Sequence, residues 1–198
     1  MCSSDLKAAD GHYNLVSALH KSVRGSDPDA ALYYLARMLT AGEDPLFIAR
    51  RLVRMANEDV GLADPEAVKQ ALAAKDVYDF LGSPEGELAL AQATVYIATA
   101  PKSNALYNAY KAAMNAAKET GSVAPPKIIL NAPTKLMKDQ EYGSGYQYDH
   151  DQPEAFSGQN YFPDSVGRLE FYQPVERGFE REMKKRLDYW SKLRRERD

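Results

Sequence analysis

The sequence has almost no cysteine, and its histidines are few and scattered. The one cysteine is Cys2, and the histidines are His12, His20 and His150. This pattern matches no familiar zinc spacing, and it excludes a disulfide framework. A chain with so little cysteine suits a reducing compartment such as the cytosol. We therefore expect no metal site.

The dipeptide Gly-Lys occurs nowhere in the sequence. A Walker-type phosphate loop needs that Lys beside a Gly, because backbone amides and the ammonium group together hold the phosphates. No set of nucleophile, base and orienting group can be nominated from spacing either. We therefore expect no catalytic site, no cofactor site and no ATP hydrolysis by this chain alone.

Long apolar runs and a strong excess of one charge are also missing. No apolar segment approaches the roughly 20 residues that cross a bilayer, and the formal net charge is only -3. This balance argues against a protein whose whole surface binds nucleic acid, so any such contact has to be local. With 44% hydrophobic residues, the chain can bury a substantial core. We expect a cytoplasmic globular protein without a membrane partner.

The first six residues, Met1 to Leu6, match the translation of a sequencing-adapter end that begins at a GTG start codon. We expect this segment to be foreign and the chain to be a fragment whose true N-terminal part is missing. Residues 1–11 are then a non-native start and linker, and Cys2 is an artefact.

Regular helix signals fill residues 12–124. Asp27-Pro28 and Asp44-Pro45 each combine an N-cap residue with Pro at the first helical position. The apolar periodicity predicts six helices, at about residues 13–23, 28–39, 45–60, 65–82, 85–100 and 104–119. The fifth is apolar nearly all round and should be the central helix of the bundle.

The pattern changes in the last third of the chain, residues 125–198. A short helix is predicted at 133–138, whereas residues 142–174 are rich in Gly, Tyr, Asp, Gln and Pro, as is typical of loops and extended structure. A last amphipathic helix is predicted at 176–195. Its apolar face carries Phe179, Met183, Leu187 and Trp190. We expect this part to pack on the bundle, which gives an all-α fold.

Several segments resemble one protein family, in the same order along the chain. They are HYNL at 12–15, KSVRGSDPDAALYYLARML at 21–39, AGEDP at 41–45, ARRLVR at 49–54, EDVGLADP at 58–65, APKSNA at 100–105, NAPT at 131–134, and YG followed by GY within 142–146. These segments resemble the region that follows the ATPase module in RarA/MgsA-type AAA+ ATPases and in the Werner-helicase-interacting ATPases.

The resemblance implies an all-helical region, similar in its first part to clamp-loader collar domains, that joins subunits into a homotetramer. It also implies a parent protein that is a DNA-dependent ATPase in replication, recombination and repair at stalled forks, associated with the nucleoid. ATP and Mg²⁺ would bind in the missing N-terminal module. Single-stranded or forked DNA and single-stranded-DNA-binding protein would be partners. The alternative is a helical DNA- or protein-binding module without an assembly role.

Arg50, Arg51 and Arg54 form the clearest local basic cluster, opposite the apolar stripe of the third predicted helix. They are candidates for contacts with DNA phosphates. Glu58 lies one turn beyond Arg54, so we favour ion pairing within the helix or at a subunit interface over a DNA contact.

Two further pairs of polar residues have a local explanation. Lys21 and Arg24 are second candidates for DNA or subunit contacts, but a favourable interaction with the end of their own helix explains them equally well. Ser103 and Asn104 could place an anion at the start of the sixth helix, but N-capping alone accounts for them.

Aromatic residues are frequent in the last third of the chain. Tyr142, Tyr146, Tyr148, Phe179 and Trp190 are our candidates for subunit contacts. Tyrosines could also stack on unpaired bases. The loop region lacks interleaved Lys and Arg, and its acidic residues would repel phosphates, so we favour packing or a subunit interface.

Overall fold

The computed structural model describes residues 3–197, with side chains from residue 13 onward. Within that range it contains eight α-helices and no strand, which confirms the predicted all-α class. The helices are α1 (Ser3–Arg24), α2 (Pro28–Thr40), α3 (Pro45–Met55), α4 (Glu66–Leu81), α5 (Glu87–Thr99), α6 (Ala105–Thr120), α7 (Lys135–Asp139) and α8 (Glu180–Arg197).

Asp27 and Asp44 cap α2 and α3, as the sequence predicts. The Asp27 carboxylate accepts a hydrogen bond from the amide of Ala30 at 2.9 Å. Asp44 accepts from the amides of Leu46 and Phe47 at 2.9 and 3.2 Å. Amides in the first turn have no acceptor inside the helix, and the Asp side chains supply one. Asp27 and Asp44 therefore fix where the two helices start.

Some helix starts differ from the prediction, among them that of α8, which begins at Glu180 rather than near residue 176. α1 begins at Ser3 rather than near residue 13, so its first turn falls in the segment expected to be foreign. Met1 and Cys2 lie outside the described residues. α5 begins at Glu87 rather than near residue 85, after a turn that contains the cis peptide bond Ser83–Pro84.

The third predicted helix is interrupted. α3 is regular only to Met55, after which Ala56–Val60 form one π-helical turn and Gly61–Ala63 form a 3-10 turn. The apolar spacing continues through the wider turn, which is why periodicity alone predicts an unbroken helix. π turns are rare and often lie at functional sites.

Residues up to Tyr107, together with Pro174–Arg181, form the first compact unit. There α5 packs against α1, α2, α3 and α4, which confirms its predicted central position. The core includes Leu19, Leu52 and Leu90, all fully buried. Removal of these side chains from water is the main source of stability for this unit.

Residues 108–173 and the part of α8 from Glu182 onward form the second compact unit. Its irregular loops pack on α8 through aromatic contacts. The rings of Trp190 and Phe156 lie 5.0 Å apart, and the guanidinium groups of Arg194 and Arg197 lie 5.1 and 5.5 Å from the Phe156 ring. Cation–π contacts of this kind hold a segment that has few regular backbone hydrogen bonds. The sequence predicts a boundary at residue 124, after the last regular helix of the bundle. In the structure the second compact unit begins earlier, at Asn108 within α6.

Candidate functional site

A buried carboxylate on the π-helical turn organises the polar part of the first unit. Asp59 is 6% exposed. Its oxygens accept hydrogen bonds from Nε2 of His20 at 2.6 Å and from Nε of Arg24 at 2.5 Å. Burial alone raises the pKa of Asp59, but the hydrogen bonds and the electrostatic attraction of His20 and Arg24 together outweigh it and hold the pKa below its usual value. Asp59 is therefore ionised at neutral pH and ties α1 to the end of α3.

Glu58 extends this contact into a chain of ion pairs. It accepts a hydrogen bond from Nε of Arg54 at 2.8 Å and lies 3.4 Å from a terminal nitrogen of Arg24. Arg24 therefore lies between two carboxylates, and its hydrogen bond with Asp59 raises the pKa of the guanidinium group. Arg54 pairs with Glu58 within one helical segment, as their spacing predicts.

Two of the segments that carry the family resemblance meet beside Asp59. The amide of Ser103 donates a hydrogen bond to the Asp59 carbonyl at 2.7 Å. Gly61 has a φ of 54°, and a β-carbon there would lie 3.2 Å from the Ser103 carbonyl oxygen. The segments 58–65 and 100–105 thus lie against each other, and Gly61 allows the close approach.

Lys102 closes the end of α5. Its ammonium group donates hydrogen bonds to the carbonyls of Ile97, Ala98 and Ala100 at 2.9, 2.8 and 2.6 Å. Burial lowers the pKa of this lysine. Because an ammonium group has three donors and all three are used, Lys102 stabilises the helix end and has no donor left for a phosphate.

Glu180, at the start of α8, is fully buried in the first unit. One of its oxygens accepts hydrogen bonds from the Ser103 hydroxyl at 2.7 Å and from the Val175 amide at 3.0 Å. The Ser103 oxygen also accepts from the amide of Ala105 at 3.2 Å, which is the predicted cap of α6. Ser103 therefore links the start of α6 to the segment Pro174–Arg181.

Sequence reasoning missed His20, Asp59 and Glu180. The partners of Asp59 lie 39 and 35 residues away, and Ser103 lies 77 residues from Glu180. Spacing reveals pairs only within one helix or hairpin, so it carries no signal for these contacts. His20 and Arg24 are four residues apart on one face of α1, which is the one local hint that they act together.

The oxygen and nitrogen atoms of His20, Glu58 and Asp59 lie close enough to suggest a metal site, within 4.8 Å of one another. Arg24 donates to Asp59 and contacts Glu58, so a guanidinium group already supplies the positive charge there. The geometry therefore fits an ion-pair network better than a metal site.

A cavity of about 440 Å³ opens beside this network. Arg24, Lys102 and Arg177 contribute three cations to its lining, and Glu58 and Asp59 contribute two anions. Arg24 is paired with both carboxylates and Lys102 has no donor left, so Arg177 is the one lining cation that these contacts do not account for.

The three arginines of the predicted basic cluster do not form a free cationic surface. Arg50 lies 3.3 Å from the Asp44 carboxylate, and Arg54 binds Glu58. Nε of Arg51 is buried and makes no hydrogen bond within the described residues. Of the second candidates, Lys21 is an exposed residue of the last turn of α1, and Arg24 belongs to the Asp59 network.

The structure separates the predicted interface aromatics into two groups. Phe179 belongs to the first unit and is 41% exposed. The others belong to the second unit, where Trp190 packs on Phe156 within the chain. Tyr146 and Tyr148 are exposed, and Tyr142 and Tyr146 line an open cavity of about 680 Å³. Trp190 is thus committed to internal packing.

Sequence reasoning also missed an exposed apolar surface on α4 and α5. Phe80 is 87% exposed and Leu88 75%, and Val77 and Leu81 are exposed as well. A groove of about 260 Å³ between the two helices is lined in part by Val77, Leu81 and Leu88. We call the surface formed by Val77, Phe80, Leu81 and Leu88 the α4–α5 face.

Comparison with known proteins relates this sequence to a family. The family described as MgsA AAA+ ATPase C terminal matches residues 25–191. The chain belongs to the MgsA C-terminal family. The match begins before α2 and ends within α8, and it confirms the resemblance seen in the sequence.

Relatives of this MgsA C-terminal region are longer proteins. The chain is 52% identical over 188 residues to the replication-associated recombination protein A of Coxiella burnetii, which covers 94% of the chain and 43% of the relative. The protein of the same name in Escherichia coli is 52% identical over 179 residues, 90% of the chain and 40% of the relative. ATPase WRNIP1 of Dictyostelium discoideum is 44% identical over 172 residues, which cover 84% of the chain and 19% of that relative. The chain spans about two fifths of the length of the two bacterial relatives.

The MgsA C-terminal family match extends over most of both compact units. Among residues 3–197, none of the helices combines the length and the apolar character that a membrane crossing needs. The matched residues include the whole α4–α5 face and the two carboxylates Glu58 and Asp59, whereas His20 and Arg24 of the ion-pair network precede the match.

Proposed function

We propose that this chain is the subunit-assembly region of an AAA+ ATPase and joins copies of itself into a closed homo-oligomer. A tetramer with dihedral symmetry is the state we expect. Closed symmetric assemblies are the usual form of soluble homo-oligomers, and they bury the same surface on every subunit.

The α4–α5 face is the observation that carries this proposal. Single exposed apolar residues are ordinary, but adjoining ones of this size mark interaction sites in soluble proteins. The side chains of Phe80 and Leu88 are 87% and 75% exposed, so the first unit leaves both largely uncovered. The ion-pair network around Asp59, in contrast, is satisfied within one chain and is a structural feature.

Light scattering on the purified chain tests the proposal. At tens of micromolar, where even modest interfaces are populated, we expect about four times the 22.0 kDa mass of one chain. A mass of one chain at that concentration would overturn the assembly role.

The proposal extends to the whole protein through the names of its relatives, two of which are called replication-associated recombination protein A. We infer that a preceding module binds ATP and Mg²⁺, and that the protein acts on single-stranded or forked DNA during replication, recombination and repair in the nucleoid. Single-stranded-DNA-binding protein is an expected partner. ATPase assays of a complete gene product with and without DNA test this inference.

A second candidate function is a direct contact with DNA phosphates through α8. This helix carries eight Lys and Arg residues against four Asp and Glu residues. It therefore keeps a net positive charge, although Lys184, Lys185 and Lys192 lie within ion-pair distance of Asp188, Glu182 and Glu196. We expect weak binding of single-stranded DNA that falls with salt, because each phosphate contact releases counterions.

Fluorescence anisotropy at two salt concentrations distinguishes the two basic regions. Replacement of Lys185, Lys192 and Arg195 by Gln should weaken DNA binding. Replacement of Arg50, Arg51 and Arg54 by Gln should leave DNA binding unchanged and lower the thermal stability of the chain, because Arg50 and Arg54 pair with Asp44 and Glu58 within it. If the α3 variant keeps its thermal stability and loses all DNA affinity, both expectations are wrong.

A further inference from the structure

We propose that the α4–α5 face is the surface through which two copies of this chain contact each other across a two-fold axis. The inference rests on the proposed assembly function and identifies where the contact lies. It follows from the shape and the charge of this surface.

The groove between α4 and α5 exists because several of the side chains that line it are small. Ala73 and Ala74 on α4 and Ala89 and Ala93 on α5 contribute to its walls. Alanines let the two helices pack closely at their core-facing sides. On the outer side the same small residues leave a space of about 260 Å³ that no side chain among residues 13–107 or 174–181 fills.

Phe80 is not part of the groove lining, but it projects from the side of α4 that carries Ala73 and Val77 of that lining. Ala73, Val77 and Phe80 follow each other at four and three residues, so they share one side of α4. Phe80 is 87% exposed, the highest value among the exposed large apolar residues. A large aromatic side chain that enters an apolar pocket is the usual centre of a protein interface.

The presence of a projection and a groove on one face favours a second copy as the occupant. In a two-fold contact the same patch is used on both subunits, so each patch must contain both a projecting side chain and the groove that receives it. Phe80 of one copy can fill the groove of its partner while its own groove receives the same ring in return. A face with only a groove would instead need a different partner.

The charges around the α4–α5 face also favour a second copy of the chain as the occupant. Of the residues that line the groove, only Glu85 is charged. Lys75 of α4 is already paired with Asp76 and Asp79 of the same helix. Such a surface does not attract a polyanion such as nucleic acid, and two copies of it do not repel each other strongly.

Two single variants test the contact with little effect on folding. Phe80→Lys places a cation in the last turn of α4, and Leu88→Glu places an anion in the first turn of α5, positions where these charges suit the helix ends. The matched controls are Tyr33→Lys and Leu136→Glu, at residues that are 56% and 67% exposed. Circular dichroism and thermal unfolding verify that all four variants fold.

Mass is then measured by sedimentation over a range of concentrations. We expect each face variant to weaken association by about tenfold or more, as loss of a central interface residue does, while both controls assemble like the wild type. If the wild type assembles and the face variants keep its mass, the inference is wrong and another occupant, such as a preceding module, covers the face. If the wild type itself stays monomeric, the proposed assembly function fails with it.

Discussion

Single side chains connect segments of the first unit that are far apart in the chain. Asp59 joins α1 to the π-helical turn, and Glu180 joins Ser103 to the start of α8. Both carboxylates are buried, so the loss of a partner leaves a polar group without its hydrogen bond and costs more than the net value of the bond itself. These residues should therefore be sensitive to small chemical changes.

Asp59→Asn should lower the free energy of unfolding by about 1–3 kcal/mol, because it removes the charge that pairs with His20 and Arg24. Urea unfolding at pH 7 measures the change. Asp151→Asn, at an exposed position, is the control and should change stability by less than about 0.5 kcal/mol. Equal stabilities of the two variants would contradict the structural role of Asp59.

The dependence of stability on acidic pH should also report on the Asp59 carboxylate. Because its pKa is lower in the folded chain than in the unfolded chain, its contribution is complete above the ordinary carboxyl pKa and is lost as the pH falls through the folded value. We expect the wild type to lose stability below about pH 4. Asp59→Asn should show a shallower loss over that range, and an unchanged slope would mean that other carboxylates dominate.

At the scale of secondary-structure elements, Pro174–Arg181 is the segment whose placement depends most on close backbone approach. Gly178 has a φ of 53°, and a β-carbon there would overlap the Ala63 carbonyl and lie 2.9 Å from Cγ of Pro101. The amide of Phe179 donates a hydrogen bond to that carbonyl at 2.8 Å. Only Gly fits this position without a shift of the segment.

Gly178→Ala should therefore destabilise the chain by about 2 kcal/mol or more, through strain and the displacement of the segment. Gly42→Ala is the matched control, since Gly42 also has a positive φ but has nothing within 4 Å of a β-carbon. Gly42→Ala should lower the free energy of unfolding by only about 1 kcal/mol. Urea unfolding gives both values, and hydrogen exchange at the Phe179 amide should accelerate only in Gly178→Ala. Equal costs would show that the contact with Ala63 is unimportant.

For the whole molecule, the composition of the chain limits its chemistry. A phosphate-binding loop needs a Gly-Lys pair, and the sequence contains none. We expect the purified chain neither to bind nor to hydrolyse ATP, as measured by calorimetry and phosphate release. Turnover that survives repurification, with the activity following the protein peak, would contradict this expectation.

The number and order of the helices could be read largely from the sequence, because caps and apolar spacing act within a few residues. Asp27 and Asp44 start their helices where predicted, and α5 is central as its composition indicates. The segments that resemble the MgsA family also sufficed to identify it. The start of α1 and the π-helical turn were not predicted, since periodicity does not define a helix end or distinguish a wider turn from a regular one.

The sequence by itself therefore determined the all-α class, most helix positions and the family, which depend on local patterns. Only the tertiary structure decided which polar residues pair and which apolar residues stay exposed. Leu88 belongs to a helix that is apolar nearly all round, yet it is 75% exposed. The physical reason is that exposure depends on which neighbouring helix covers a side chain, and pairing across 35 to 77 residues depends on the packed fold.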